Sequence, residues 1–268
     1  ETVTYHPDEQ KVTVHYVDVN DSPKTSDWTA ADGTEVSTAV QTLTGKSAGT
    51  YTNTIALPDN FVQVGTDDGA SSGTFDNDSQ VDQSYNVYVK HATRTITPVT
   101  DPQNGELRAT VTRTINYVYG NDTVDHQTGD KAIDSVNQHQ DYSRTGTIDE
   151  VTGKITYSAW TPTIGTDEGL KMVTPTKITG YTPDQVSVSA GTVDVTTLTG
   201  NETLKPVTVT YNPNPAKIAV TYVDDVENGK VVEGTSLDGF VDQTGTFNVV
   251  TPNNYELSKG QSDKVNYT

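Results

Sequence analysis

The side chains best suited to chemistry in this chain are acids. In FDNDSQVDQ, residues 75–83, Asp76, Asp78 and Asp82 are spaced like oxygen donors of an EF-hand calcium loop, with Gln80 between them. Hard cations such as Ca²⁺ take about six to eight oxygens, and that loop needs a glycine for its sharp turn. Val81 stands at the glycine position and Val87 at the place of the terminal glutamate, so the match is partial. The same residues also read as a solvated turn whose Asp and Asn side chains bond the local backbone. Calcium is the one cofactor the acids suggest. Further acids end two strand-like runs: Asp18 and Asp21, with Asn20, close the first, and Asp224 and Asp225 close the second.

Aromatic side chains offer a different chemistry. A sugar site wants exposed rings to stack on pyranose faces, flanked by Asp, Asn or Arg. Trp160 with Tyr157 and Tyr181 is the best candidate group, and Trp28 beside Asp27 is another. Trp160 also ends an alternating run, with Ile155, Tyr157 and Ala159 on one side and Thr156, Ser158 and Trp160 on the other. That pattern equally fits a ring covering the core. Catalytic constellations are missing from the sequence. His6, His15, His91, His126 and His139 are scattered, with no HExxH and no G-x-S-x-G. The chain reads as a non-enzyme. A covalent Lys–Asn crosslink is a further possibility, with Lys11 and Lys217 before equivalent strands and Asn86 and Asn116 in others.

The elements that must position these residues are strands. Val12, Val14 and Tyr16 alternate with Thr13 and His15, the period of two expected of a strand with one buried face. YNVYVKH (residues 85–91), TVTRTINYVY (110–119), GKITYSAW (153–160), QVSVSAG (185–191) and PVTVTY (206–211) alternate likewise. Turn signals DDG, PQNG, TGD and TGK lie among these runs. Val36, Ala39, Val40 and Leu43 have helical spacing, with Asp32 or Ser37 to cap, which allows one short helix. The fold class expected is mostly β (α+β), in tandem modules.

Composition supports this. Apolar residues are 32%, a low value, but they are mainly Val, Ile and Tyr alternating with Thr, which is strand composition rather than that of a disordered tail. There are 36 Asp+Glu against 17 Lys+Arg, a net charge of −19, which argues against nucleic acid and anionic membrane surfaces. Cysteine is absent, which excludes a disulfide scaffold and a thiolate metal site. No apolar run approaches the roughly 18 residues of a membrane span, so no membrane insertion is expected.

The chain repeats itself. VTYHPDEQKVTVHYVD (residues 3–18) aligns without a gap with VTYNPNPAKIAVTYVD (209–224), at an offset of 206 from Val3 to Val209 and from Tyr16 to Tyr222. LTGKSAGTY (43–51) then resembles LDGFVDQTGTF (237–247), and PDNFVQV (58–64) resembles PNNYEL (252–257). The division expected is residues 1–10 as the closing strand of a preceding repeat, 11–93 as a first module, 94–213 as a larger second module, and 214–268 as the start of the next repeat. That last part carries no counterpart of residues 75–91. Proline at the YNPNPAK border stiffens the junction, which suits a monomeric, elongated rod within an array.

These motifs, in this order, resemble the mucin-binding (MucBP-type) repeats of Gram-positive surface adhesins, notably those of lactobacilli. The residues that carry the likeness are VHYVDVND and VTYVDDVENGK, L-T-G-K-x-x-G-x-Y at 43–51, and F-D-x-D with YNVYVKH at 75–91. In the second module they are RTINY at 113–117, SRTGTIDEVTGKITYSAW at 143–160 and PTKITGY at 175–181. The resemblance implies β-grasp, ubiquitin-like modules in a secreted, wall-anchored protein. It implies weak, multivalent adhesion to mucus glycoproteins and their glycans, with immunoglobulin as a further partner of some relatives. A spacer role in a stalk is the alternative.

Overall fold

The computed structural model describes residues 1–163 and 169–268. They form two compact units, Glu1–Gln103 with Arg144–Ser158, and Asn104–Ser143 with Ala159–Thr268. Regular structure among the described residues is almost all β, the helical part being three 3₁₀ turns of three residues each.

The first unit contains β1 (Glu9–Asp18), β2 (Thr34–Glu35), β3 (Gln41–Lys46), β4 (Thr50–Thr52), β5 (Phe61–Thr66), β6 (Ser72–Thr74), β7 (Gln83–His91) and β8 (Thr93–Ile96). Its main sheet is mixed. β1 lies antiparallel to β3, with Val12 opposite Leu43. On its other side β1 runs parallel to β7, from Val12 opposite Gln83 to Asp18 opposite Val89. β5 flanks β7. The alternation seen in the sequence sets the faces: Val12, Val14 and Tyr16 are fully buried and pack with Tyr51, Phe75, Val87 and Val89. The Tyr16 hydroxyl donates to Gln41 Oε1 (2.7 Å) and accepts from the Ala56 amide (2.9 Å), so this buried hydroxyl is satisfied. Gly45 in β3 is a matter of space, since a Cβ there would lie 2.2 Å from the Phe75 ring.

The short helix allowed around residues 36–43 is not present. Ser37–Ala39 makes one 3₁₀ turn, and Leu43 lies in β3 with an extended neighbour at Val40 (φ −56°, ψ 126°). The segment is too short and too rich in β-branched residues to propagate a helix, and β1 offers it a strand partner instead. A hairpin of β11 (Gly146–Asp149) and β12 (Ile155–Tyr157) joins this unit by pairing β11 antiparallel to β8.

The second unit is built on β9 (Arg108–Tyr119) and β10 (Lys131–Ser143), with β13 (Thr161–Pro162), β14 (Tyr181–Pro183), β15 (Glu202–Thr203) and β16 (Val207–Pro213). The pairing scheme repeats that of the first unit. β9 is antiparallel to β10, parallel to β16, and β14 flanks β16 antiparallel. Two further pairs follow, β17 (Pro215–Asp224) with β18 (Lys230–Phe240) and β19 (Gly245–Asn248) with β20 (Lys264–Tyr267).

Two strand expectations need correction. Residues 185–191 form no strand; only Val188 bridges to Val173, because β13 and β14 already occupy the two edges of the sheet. The run at 153–160 is a strand only over Ile155–Tyr157, since the chain passes from one unit to the other after Ser158.

Candidate carbohydrate-facing surface

The loop after β1 shapes one side of the first unit. It begins with an Asx turn in which the Asn20 amide donates to Asp18 Oδ1 (2.9 Å). Lys24 Nζ reaches Asp32 Oδ2 (2.7 Å), which also accepts from the Thr29 amide and hydroxyl (both 2.8 Å). The Lys24 ammonium, then Thr29, hold the Asp32 carboxyl down at about 2. These bonds fix the loop on which Trp28 stands. The indole Nε1 donates to the Lys24 carbonyl (3.2 Å), and the ring is half-buried against Tyr88, centroids 6.1 Å apart. Lys90 Nζ lies 5.7 Å from the ring centroid. Gly65 leaves the indole its room, as a Cβ there would approach the ring to 3.2 Å. Beside this loop opens a cleft of about 390 Å³ lined by Asp18, Asp21, Ser22, Pro23 and Asp32 among others. Its carboxylates are acceptors suited to hydroxyl donors.

Behind the cleft, His91 ties the unit together. Its Nε2 faces Asp18 Oδ2 at 2.9 Å and its Nδ1 faces Asp149 Oδ2 at 2.6 Å, while Phe61 meets the ring edge-on. With a carboxylate at each nitrogen, both must donate, which is the imidazolium form. Burial alone would lower the His91 pKa, but the bonds to Asp149 and Asp18 outweigh it and the net direction is up. The same bond from His91, aided by the amides of Thr152 and Val151, brings the Asp149 carboxyl down to about 2.

The four sequence-selected aromatic residues are divided between the two units. Trp28 and Tyr157 are half-buried in the first unit, Tyr157 with the Arg144 guanidinium 4.0 Å over its ring. Trp160 is 5% exposed in the second unit, packed with Ala109, Val111, Tyr142, Leu170 and Leu198. Its indole donates to the Leu198 carbonyl at 2.7 Å, so it covers the core and offers no stacking face. Tyr181 is buried in a separate cluster with Tyr119 and Tyr211, and its hydroxyl donates to Asp242 Oδ2 (2.9 Å). His126 stacks on Tyr119 there, centroids 3.8 Å apart.

The acids at 76–82 adopt the turn reading. Asp76 Oδ1 accepts from the Asp78 amide (3.2 Å), Asp78 Oδ1 from the Gln80 amide (3.0 Å), and Asp82 pairs with Lys11 (3.0 Å). Among the described residues, no three His, Cys, Asp or Glu side chains are grouped to hold a metal ion, so the calcium expectation finds no ligand set. The crosslink candidates each bond to another partner. Lys11 is with Asp82, Asn86 Nδ2 donates to Asp67 (2.8 Å), Lys217 pairs with Asp238 (3.1 Å), and Asn116 accepts from Ser135 (2.8 Å).

Sequence reasoning missed Arg113. It is 4% exposed, on the buried face of β9 between Val111 and Ile115. Its guanidinium donates to Gln138 Oε1, to the Ser189 carbonyl and to the Lys171 carbonyl. Those bonds anchor to the sheet a stretch that has little ladder of its own. The signal was present: a charged residue at an apolar position of the alternation.

Residues 102–215 match the Muc B2-like domain family model. No curated protein matches the chain. Among solved structures, the type 2 repeat of the mucus binding protein MUB from Lactobacillus reuteri is 24% identical, covering 76% of this chain and 100% of that one, TM-score 0.40. The mucin-binding domain of a Streptococcus pneumoniae protein is 29% identical, covering 46% of this chain and 97% of that one, TM-score 0.31. The MucBP domain of an adhesion protein from Pediococcus pentosaceus is 37% identical over 99% of its length and 40% of this chain, TM-score 0.31. The chain belongs to the MucBP-type repeat family. For a MucBP-type repeat, the motif residues found here have structural work: Gly45 of L-T-G-K makes room for Phe75, Arg113 of RTINY anchors residues 170–191, and Trp160 fills a core.

Proposed function

We propose that this chain is a repeat segment of a Gram-positive surface adhesin that binds mucus glycoproteins weakly and gains strength from tandem copies. The observation that carries this reading is family membership, since the similar domains are named for mucus or mucin binding. Both repeat modules are of β-grasp type in this reading, the helix reduced to 3₁₀ turns. The protein is displayed outside the cell and carries out no catalysis.

The ligand surface is on the first unit, with Trp28 and Tyr157 as the rings that stack on sugars. Each ring has a cation at its face, Lys90 at Trp28 and Arg144 at Tyr157, and the Asp18–Asp21–Asp32 cleft supplies hydroxyl acceptors. A net charge of −19 makes long-range attraction to acidic mucins unfavourable, so contact-range stacking and hydrogen bonds carry the recognition. Weak single sites become useful through effective concentration in an array.

The test is binding of the chain to immobilised mucin before and after enzymatic removal of its glycans, with an immunoglobulin surface alongside. Loss of binding on deglycosylation is expected. Binding to immunoglobulin alone would move the site to a sheet edge, and no binding on any surface would leave a spacer.

A further inference from the structure

The same turn occurs twice in this chain, and its second copy makes contacts that its first does not. In the first unit β3 ends opposite Glu9, at Lys46, and the Ser47 amide then donates to the Asp8 carbonyl (3.0 Å). At the 206-residue offset β18 ends opposite Pro215, at Phe240, and the Val241 amide donates to the Asn214 carbonyl (3.0 Å). The residue that follows is left-handed in both, Ala48 at φ 62° and Asp242 at φ 58°. That conformation is costly for a residue with a side chain, and Asp tolerates it better than Ala. Yet Ala48 forms the turn without a side-chain oxygen, so the turn alone does not call for the acid at 242.

The acid has a use outside the turn. Its Oδ2 accepts from the Tyr181 hydroxyl at 2.9 Å, and its carbonyl accepts from the Val124 amide at 3.1 Å. Tyr181 is buried, with Tyr119 edge-on to it (centroids 5.0 Å) and His126 stacked on Tyr119, so its hydroxyl has a fixed aim. Gly180 lets the backbones meet: it sits at φ 83°, and a Cβ on it would lie 2.8 Å from Val241 Cγ1. Asn214 closes the joint, its amide donating to the Gly180 carbonyl (2.8 Å) and its side chain accepting from the Thr182 hydroxyl (2.6 Å). Backbone bonds, a buried hydroxyl and a glycine therefore converge on a turn of the next repeat copy.

We propose that the face around Gly180 and Tyr181 is a docking surface for the repeat that follows, and that it selects a side-chain acceptor at the left-handed position of the incoming turn. A following repeat with Asp there satisfies the Tyr181 hydroxyl. One with Ala, as at Ala48, leaves that hydroxyl with Thr123 alone and keeps only the backbone bonds. Consecutive repeats then meet at a specified joint and not through a free linker, which sets the spacing and orientation of neighbouring binding sites. Effective concentration in an array depends on that geometry. The inference holds whatever ligand the repeat binds.

The experiment measures amide hydrogen exchange, residue by residue, in the full chain and its variants. In the parent chain the Val124 and Val241 amides should be protected. Asp242→Ala, a residue the same turn accepts at Ala48, should speed exchange at Val124 about tenfold; Tyr181→Phe should do the same, and the two together no more than either. Asp242→Asn keeps an oxygen acceptor and should restore protection. The Ser47 amide, in the first copy of the turn, should not respond to any of them. The proposal is overturned if Val124 is unprotected in the parent chain, if Asp242→Ala leaves it protected, if the two effects add, or if Asp242→Asn behaves as Asp242→Ala does. Should Tyr181→Phe also loosen β9 and β16, the two Asp242 variants decide by the same criteria.

Discussion

Single residues separate the core from the surface in ways that composition does not. Trp28 and Trp160 each donate an indole N–H to a carbonyl, but the Trp160 ring is enclosed in a core and the Trp28 ring is half-buried. Trp160→Ala should destabilise the second unit by about 3–5 kcal/mol in denaturant titration. Tyr157→Ala, on a half-exposed ring, should leave the unfolding midpoint nearly unchanged and weaken mucin binding about tenfold, measured by surface binding at fixed salt. Arg113→Lys removes the fork that reaches three acceptors together, and should cost about 2 kcal/mol. The period of two revealed which side of β1 and β9 is buried, because that pattern is local. It did not reveal that Tyr157, Trp160 and Tyr181 belong to different packing groups, because their separation is decided by long-range pairing. The acids at 76–82 show the same limit: their spacing suited calcium, and the structure turns them onto neighbouring amides and Lys11.

At the level of elements, the β11–β12 hairpin is held to the first unit by a ladder and by a charged clasp. The ladder pairs Gly146 with Ile96 through Asp149 with Thr93. The clasp is His91 between Asp18 on β1 and Asp149 on β11. Its pH dependence has two limbs. The His91 pKa is raised, so its contribution is complete below the ordinary value of about 6.5 and is lost as pH climbs through the raised value. The Asp149 pKa is lowered to about 2, so its contribution is present above about 3.9 and is lost as pH falls toward 2. The clasp is therefore whole from about pH 4 to about pH 6.5. Amide exchange of Gly146–Asp149 and Ile155–Tyr157, corrected for intrinsic rates, should show weakening protection from pH 6 toward pH 9. His91→Gln should flatten that dependence; an unchanged slope would remove His91 from the role. None of this was legible beforehand, since His91 and Asp149 are 58 residues apart and no local pattern joins them.

Both units share one arrangement in which a long early strand runs parallel beside a later one, β1 beside β7 and β9 beside β16. β1 and β7 are in register over Val12–Asp18, and β9 and β16 over Ile115–Tyr119. The repeat was visible in the sequence, and the resemblance implied one fold class for both modules; the pairing order they share is a long-range property that local patterns do not carry. The arrangement has a mechanical meaning. Tension on the chain enters a unit at the start of β1 or β9 and leaves at the end of β7 or β16. It acts along the strands, so the rungs between them are sheared together and cannot be peeled one at a time. A single chain stretched by its two ends should yield at distinct high-force steps. The β17–β18 hairpin, joined at one end by its turn, should unzip at much lower force when gripped at its two strand ends. Under load the chain would then give first at the β17–β18 hairpin and hold where its strands are clasped in parallel.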